Sequence, residues 1–134
     1  MATTSLPKLK KKLDKVFSLY IRMKHADDNG NVKCFTCESV KNWKEIQAGH
    51  FQSRRFMNTR WSEVNVKPQC VKCNMFNQGE QYRFAQRLDM IHGPNTAIVQ
   101  EQLARKNSTL KRPDIIYLIE YYNNKLKQLL THDS

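Results

Sequence analysis

Asn65-Val66-Lys67-Pro68-Gln69-Cys70-Val71-Lys72-Cys73-Asn74 is the stretch that decides how this chain is read. It contains one C-x2-C pair, Cys70/Cys73, and a second pair, Cys34/Cys37, lies upstream with 32 residues between the two. Together the pairs use all four cysteines of the chain. Two thiolates on each of two tight turns are the donor set for a tetrahedral structural zinc, with each sulfur about 2.3 Å from the metal. The alternatives are four buried free thiols or two disulfides. Disulfides require an oxidising compartment. The first residues, MATTSLPKLKKK, contain no apolar segment that would direct export. Zinc is therefore the preferred reading, and the protein is expected inside the cell.

The chain has 134 residues, a length that suits one domain. A structural metal would help so small a body to hold a loop-rich centre. It has 23 Lys+Arg against 12 Asp+Glu, a net charge of +11. Residues 1–33 carry 8 basic and 3 acidic groups, residues 34–80 carry 7 and 4, and residues 81–134 carry 8 and 5. The excess is thus spread along the chain and is not a detachable tail. A folded body with this balance attracts polyanions, nucleic acid first among them. No apolar run reaches the ~20 residues needed to cross a bilayer, and no helix pairs a basic face with a broad exposed apolar face, so a membrane is not an expected partner.

Residues 1–7 read as a disordered tail. Leu9, Leu13, Val16, Phe17, Tyr20 and Ile21 recur at three- and four-residue spacing, which predicts an amphipathic helix over residues 8–24 with Lys8, Lys10, Lys11, Lys12 and Lys15 outward. Residues 26–31 form a turn by composition. Short strands are predicted at 32–35, 40–43 and 63–67. Residues 47–51 lead into a basic loop over 52–61, and a short helix starts at about residue 73. Helices follow at 80–91, 95–106 and 112–130, with Pro113 at a first turn, where the missing N–H is tolerated. In the 80–91 helix, Tyr82 or Phe84, Ala85, Leu88 and Ile91 are expected to face inward. Trp43 and Trp61 are assigned to packing at the zinc site. His25, His92 and His132 are read as ordinary surface or core residues.

Gly49-His50-Phe51, then Asn65, then Cys70-x-x-Cys73-Asn74 resembles the HNH (His-Me finger) nuclease motif, whose usual ending is N-L-x-x-L-C-x-x-C-H. Asn74 stands where that pattern ends in His. Phe17-Ser18-Leu19-Tyr20-Ile21-Arg22, Cys34-Phe35-Thr36-Cys37, Gln47-Ala48-Gly49-His50-Phe51, Ser53-Arg54-Arg55 and Arg60-Trp61 narrow the likeness. With the segment from Asn65 to Asn74, they resemble the phage NinG/Rap recombination endonucleases over roughly residues 13–92. The resemblance implies an α+β fold in which a zinc-bound ββα-metal centre, residues 31–92, is flanked by an N-terminal helix and C-terminal helices over 93–134. It also implies a structure-directed DNA endonuclease acting on branched recombination intermediates such as Holliday junctions and D-loops, in the cytoplasm of a phage-bearing host.

The residues can be given roles directly. Phosphodiester hydrolysis needs a base for water, an electrophile for the phosphate oxygens and help for the departing 3′ oxygen. His50 is the candidate base, since a neutral imidazole accepts a proton near working pH. Asn74 offers a hard carbonyl oxygen to a catalytic Mg²⁺ or Mn²⁺, or simply caps the following helix. The motif gives Asn65 the task of holding the His50 segment in place, and an ordinary turn residue is the competing reading. Arg54, Arg55, Arg60 and Lys72 are candidates for phosphate contacts, against the plainer reading of a solvated loop. Many HNH sequences place a metal-binding side chain directly before the base, where this chain has Gly49. Asn74 then holds the ion nearly alone, or an acid assists, Glu63 and Glu80 being nearest in sequence. Two other functions are left open: a zinc-stabilised nucleic-acid-binding protein that does not cut, and a sequence-specific HNH nuclease. A homodimer would match the two cuts a four-way junction requires, and the last helix has apolar residues enough either to pack on the body or to pair with a second copy.

Overall fold

The computed structural model describes residues 3–131. The predicted tail is shorter than expected: residues 1–2 lie outside the described residues, but Leu6 and Pro7 are already helical. Helix α1 spans Leu6–Lys24. Ser5 caps it by accepting from the Lys8 N–H at 3.4 Å, and the proline sits in the first turn, where no N–H is needed.

Four short strands follow: β1 (Asn31–Lys33), β2 (Val40–Asn42), β3 (Gln47–His50) and β4 (Val66–Gln69). They form two separate antiparallel pairs, β1 with β2 and β3 with β4. In the second pair Gln47 faces Gln69, Gly49 faces Lys67 and His50 faces Val66. Strand β4 lies further along than the 63–67 expectation and runs through Pro68. The proline gives up a ladder donor, but its carbonyl accepts the Phe35 N–H at 2.8 Å and ties the first knuckle to this strand. The basic loop contains a one-turn helix, α2 (Met57–Arg60), that the sequence reading did not anticipate.

After β4 the chain enters a π-turn at Lys72–Phe76, then α3 (Gln81–His92), α4 (Thr96–Arg105) and α5 (Arg112–Thr131). The largest core lies between α1 and α5. There Leu13, Phe17 and Ile21 meet Ile115, Ile119 and Tyr122, and Trp61 and Val66 close one side. Trp61 therefore belongs to the helix core and not to the zinc site, whereas Trp43 does pack against the cysteines. A smaller core joins Phe84 and Leu88 of α3 to Ala97 of α4, with Phe35 and Phe51 against it. Ile91, expected inward, is exposed, and of the alternatives Tyr82 and Phe84 it is Phe84 that is buried. Helix α5 packs on the body and leaves Ile116, Tyr117 and Leu130 on the surface. None of the described helices is long and apolar enough to cross a membrane. The architecture is α+β, built around a four-cysteine cluster.

Candidate metal centre and catalytic cleft

Cys34 and Cys37 lie on the turn after β1, with Cys70 at the end of β4 and Cys73 in the π-turn. The first turn is closed by the Glu38 N–H on the Cys34 carbonyl, with Glu38 at φ +65°. The four Sγ atoms lie within 4.8 Å of one another, and Cys37 and Cys70 are 3.7 Å apart. Four sulfurs about 2.3 Å from a tetrahedral centre are roughly 3.8 Å apart, so the cluster has the dimensions of a zinc site. All four are free thiols, and the disulfide alternative falls.

The electrostatics also favour a cation. Burial raises the Cys34 thiol, but the Cys70 and Cys37 backbone N–H groups and the Thr36 hydroxyl outweigh it and bring the pKa down to about 6. Burial and the neighbouring thiols push Cys73 up to about 12. Four thiolates crowded this closely repel one another unless a divalent cation sits among them.

A second site opens on the other side of the π-turn. His50 and Asn74 line the same open cleft of about 610 Å³, together with Arg22, Lys44, Gln47 and Arg54. Strand β3 delivers His50 and the π-turn delivers Asn74, so the thiol cluster and the β3–β4 pair jointly set their separation. The Asn74 Nδ2 donates to Gln47 Oε1 at 2.8 Å, which fixes the carboxamide and commits its N–H side. His50 Nε2 lies 2.9 Å from the Arg60 carbonyl oxygen. A carbonyl can only accept, so in the neutral ring Nε2 carries the proton and Nδ1 holds the free lone pair. Burial lowers the His50 pKa from its ordinary 6.5. The Arg60 carbonyl and Asp14 oppose this, and the Arg54 and Arg60 charges reinforce it.

Asn65 is wholly buried at the base of the loop between β3 and β4. Its Oδ1 accepts the Gln52 N–H at 2.7 Å, and its Nδ2 donates to the carbonyls of Gln52 and Thr59 at 3.1 and 2.9 Å. These bonds cross the loop, while the Arg60 carbonyl that holds His50 follows Thr59 directly.

The basic candidates separate. Arg54 is exposed and lines the cleft. Arg55 is exposed outside it, its guanidinium 4.7 Å from the Phe56 ring centroid. Arg60 is engaged elsewhere: it bonds both carboxylate oxygens of Asp14, at 3.0 and 2.6 Å, and covers the Trp61 ring. Its guanidinium thus braces the loop on α1. Lys72 is exposed beside the cysteine cluster and does not line the His50 cleft.

Neither acid proposed to assist a metal lines the cleft. Glu63 is bound to Lys24 at 2.8 Å and to the Tyr122 hydroxyl at 3.3 Å. Glu80 precedes α3 and lies on the cysteine side with Asn77 and Arg83. The absence of a side chain at position 49 has a steric cause. A Cβ added to Gly49 would collide with the Gln69 side chain, whose Cγ lies 2.8 Å from that point. Gln69 cannot easily move, since its Nε2 donates to Thr36 Oγ1 and to the Gly79 carbonyl.

The sequence reading missed Arg22, Lys44, Gln47 and Asp14. Arg22 is held in the cleft wall by its bond to the Trp43 carbonyl at 2.9 Å. Asp14 lines a small cavity adjoining His50 and Arg54, and a signal for it existed: it is the sole acid of the lysine-rich α1. His25 bonds the Ile21 carbonyl and His92 meets the Lys67 ammonium, both away from the cleft, as an ordinary histidine would. His132 lies outside the described residues.

No curated protein and no solved structure matches the chain. The family model described as Bacteriophage Lambda NinG protein matches residues 1–132, a span that contains the cysteine cluster, the cleft and every helix. The chain belongs to the phage lambda NinG family.

Proposed function

We propose that this protein is a DNA endonuclease of the HNH type that hydrolyses phosphodiester bonds in branched recombination intermediates, with His50 as general base. The observation that carries the reading is the shared cleft of His50 and Asn74, in which the His50 ring is oriented by the Arg60 carbonyl. An imidazole with Nε2 committed to a carbonyl presents Nδ1 as the acceptor for a proton from water. Its lowered pKa keeps it unprotonated at neutral pH, the state a base must start from. Arg54, Arg22 and Lys44 place cationic groups around the cleft where a phosphate would bind. The pair β3–β4 followed by the π-turn supports the ββα-metal reading of the centre.

A catalytic divalent ion fits the cleft only weakly. Among the described residues, no carboxylate lines it, and the side-chain oxygen donors are the carboxamides of Asn74 and Gln47 and the Ser18 hydroxyl. Such neutral donors suit Mg²⁺ or Mn²⁺, which keeps most of its waters and takes other ligands from phosphate. When bound, the ion would stabilise charge on the phosphate and on the leaving oxygen. Half-saturation is therefore expected at millimolar Mg²⁺, and a value in the low micromolar range would count against this donor set. The zinc cluster supports the site without joining the chemistry, because its four donors are all sulfur and leave no open position.

The test compares wild type with His50→Ala on a labelled four-way junction and on matched linear duplex. The alanine variant is expected to lose about 10²-fold or more in rate. Equal rates for the two proteins would end the proposal.

A further inference from the structure

The π-turn that carries Asn74 also presents two large apolar side chains to solvent. Met75 is 62% exposed and Phe76 is 78% exposed. Neither packs into any of the three apolar cores. Met75 lines the cleft that holds His50, and Gln47 Nε2 donates to its sulfur at 3.5 Å.

The backbone under this pair is firmly tied. The Asn77 N–H bonds the Lys72 carbonyl and the Gly79 N–H bonds the Cys73 carbonyl, each at 2.8 Å. The Gln69 carboxamide then takes the Gly79 carbonyl at 2.9 Å. Gln78, Gly79 and Glu80 all have positive φ, and they turn the chain sharply away after the pair. Two bare apolar side chains are thus held on a tied turn, one and two residues after Asn74 and next to the thiol cluster.

The cleft side of the turn is cationic: Arg22, Lys44 and Arg54 line it with Met75, and no acid lines it among the described residues, whereas Lys72, exposed on the same turn, has Glu45 and Glu80 beside it on the cysteine side. An apolar surface framed by cations matches a nucleic-acid base joined to its phosphates better than it matches an apolar protein face. In unbroken duplex the base faces are hidden in the stack. At a branch point, or in an adjoining single strand, they are exposed.

We propose that Met75 and Phe76 form an apolar wedge that stacks on bases laid open at a DNA branch point, and so makes the His50 cleft selective for branched over fully paired DNA. The inference rests on the endonuclease reading of the same cleft. Phe and Met are side chains that insert between or against bases in other DNA-bending proteins, and aromatic stacking on a base needs no particular sequence. Selectivity would then follow the shape of the substrate.

The experiment uses the full chain in a His50→Ala background, so that binding is read without cutting. The probes are a four-way junction with 2-aminopurine at the branch and a linear duplex with the same label. Adding Phe76→Ala is expected to weaken junction binding about 10-fold or more, to weaken duplex binding much less, and to abolish the fluorescence change at the branch. Phe76→Trp is expected to restore all three, which loss of fold would not allow. An unchanged junction-to-duplex affinity ratio in Phe76→Ala and in the Met75→Ala/Phe76→Ala pair would overturn the wedge. So would sedimentation showing that Phe76→Ala splits a dimer, since the patch would then serve a second copy. The two readings fail separately: equal cleavage by wild type and His50→Ala removes the nuclease, while the fluorescence still reports on the wedge.

Discussion

The Arg60 carbonyl lies 2.9 Å from His50 Nε2, while the Arg60 guanidinium, on the far side of the same residue, grips Asp14 of α1. One residue thereby couples the long N-terminal helix to the tautomer of the candidate base. By sequence the arginine is a candidate for phosphate contact or for a solvated loop. Its side chain is instead spent on a partly buried ion pair, and its backbone supplies the contact that matters to His50.

The first expectation concerns pH. His50 has its pKa lowered by burial and by the Arg54 and Arg60 charges, so it loses its proton below pH 6.5. The kcat/KM on a junction, which titrates the free protein, should rise along an acid limb below pH 6.5 and be flat through neutrality. Removing one of the lowering charges with Arg54→Gln should move that limb to higher pH. The same shift affects stability. A histidine whose folded pKa is depressed adds stability above its unfolded pKa, and that stability is lost as pH falls through the folded value. A limb centred above 6.5 in the wild type would contradict this environment.

Asn65 makes a sharper test of loop anchoring. Replacing it with alanine strands the Gln52 N–H and the carbonyls of Gln52 and Thr59 in a buried place. The expected loss is about 3 kcal/mol, measured by denaturant melting. Asn65→Asp keeps the acceptor for the Gln52 N–H but turns a second oxygen toward two carbonyls. It should therefore be at least as damaging at pH 7. Protonation restores a donor, so the Asp variant should recover part of its stability as pH is lowered. A variant equally stable at pH 7 and pH 4 would show that the two carbonyls do not confront that side chain.

The cysteine cluster should bind one zinc per chain, measured by elemental analysis and by colorimetric release. Structural zinc sites in small domains contribute about 10–16 kcal/mol of apparent binding free energy, most of it inseparable from folding. Stripping the metal, or introducing Cys70→Ser, should therefore collapse the β1–β2 turn and the π-turn together. Both Asn74 and the Met75–Phe76 pair would lose their support. Retention of the native melting profile in metal-free protein would mean that four reduced thiols suffice.

The fold and the site were not equally legible from the sequence. The cysteines could be read because ligand spacing is local and leaves few alternatives, and α1 and α5 because their apolar positions repeat at helical period. Strand β4 lies later than the 63–67 expectation and runs through Pro68, because a proline whose carbonyl serves Phe35 can lie within a two-stranded ladder. Arg60 could not be sorted from Arg54, because the difference is a partner 46 residues away on α1. Glu63 illustrates the same limit: near the motif in sequence, it is drawn off by Lys24 and Tyr122. Trp61 was misplaced because nearness to a knuckle in sequence says nothing about which core a ring enters. In each case a contact between distant segments decided the outcome.

Gly49 gives the last test, because the neighbouring Gln69 side chain explains why position 49 is bare. Gly49→Ala drives a methyl group into the Gln69 side chain and should cost about 1–3 kcal/mol, within the range of overpacked cores. Gln69→Ala alone should also destabilise, since it leaves the Thr36 hydroxyl and the Gly79 carbonyl without that donor. Combined, the two changes should cost less than their sum, because the second removes the obstacle to the first. Gly49→Asp should likewise fail to tighten Mg²⁺ binding in the wild-type background and succeed better beside Gln69→Ala, where a carboxylate at 49 has room. Strict additivity in the melting cycle, or tight Mg²⁺ binding by Gly49→Asp alone, would show that Gln69 is not what keeps position 49 bare.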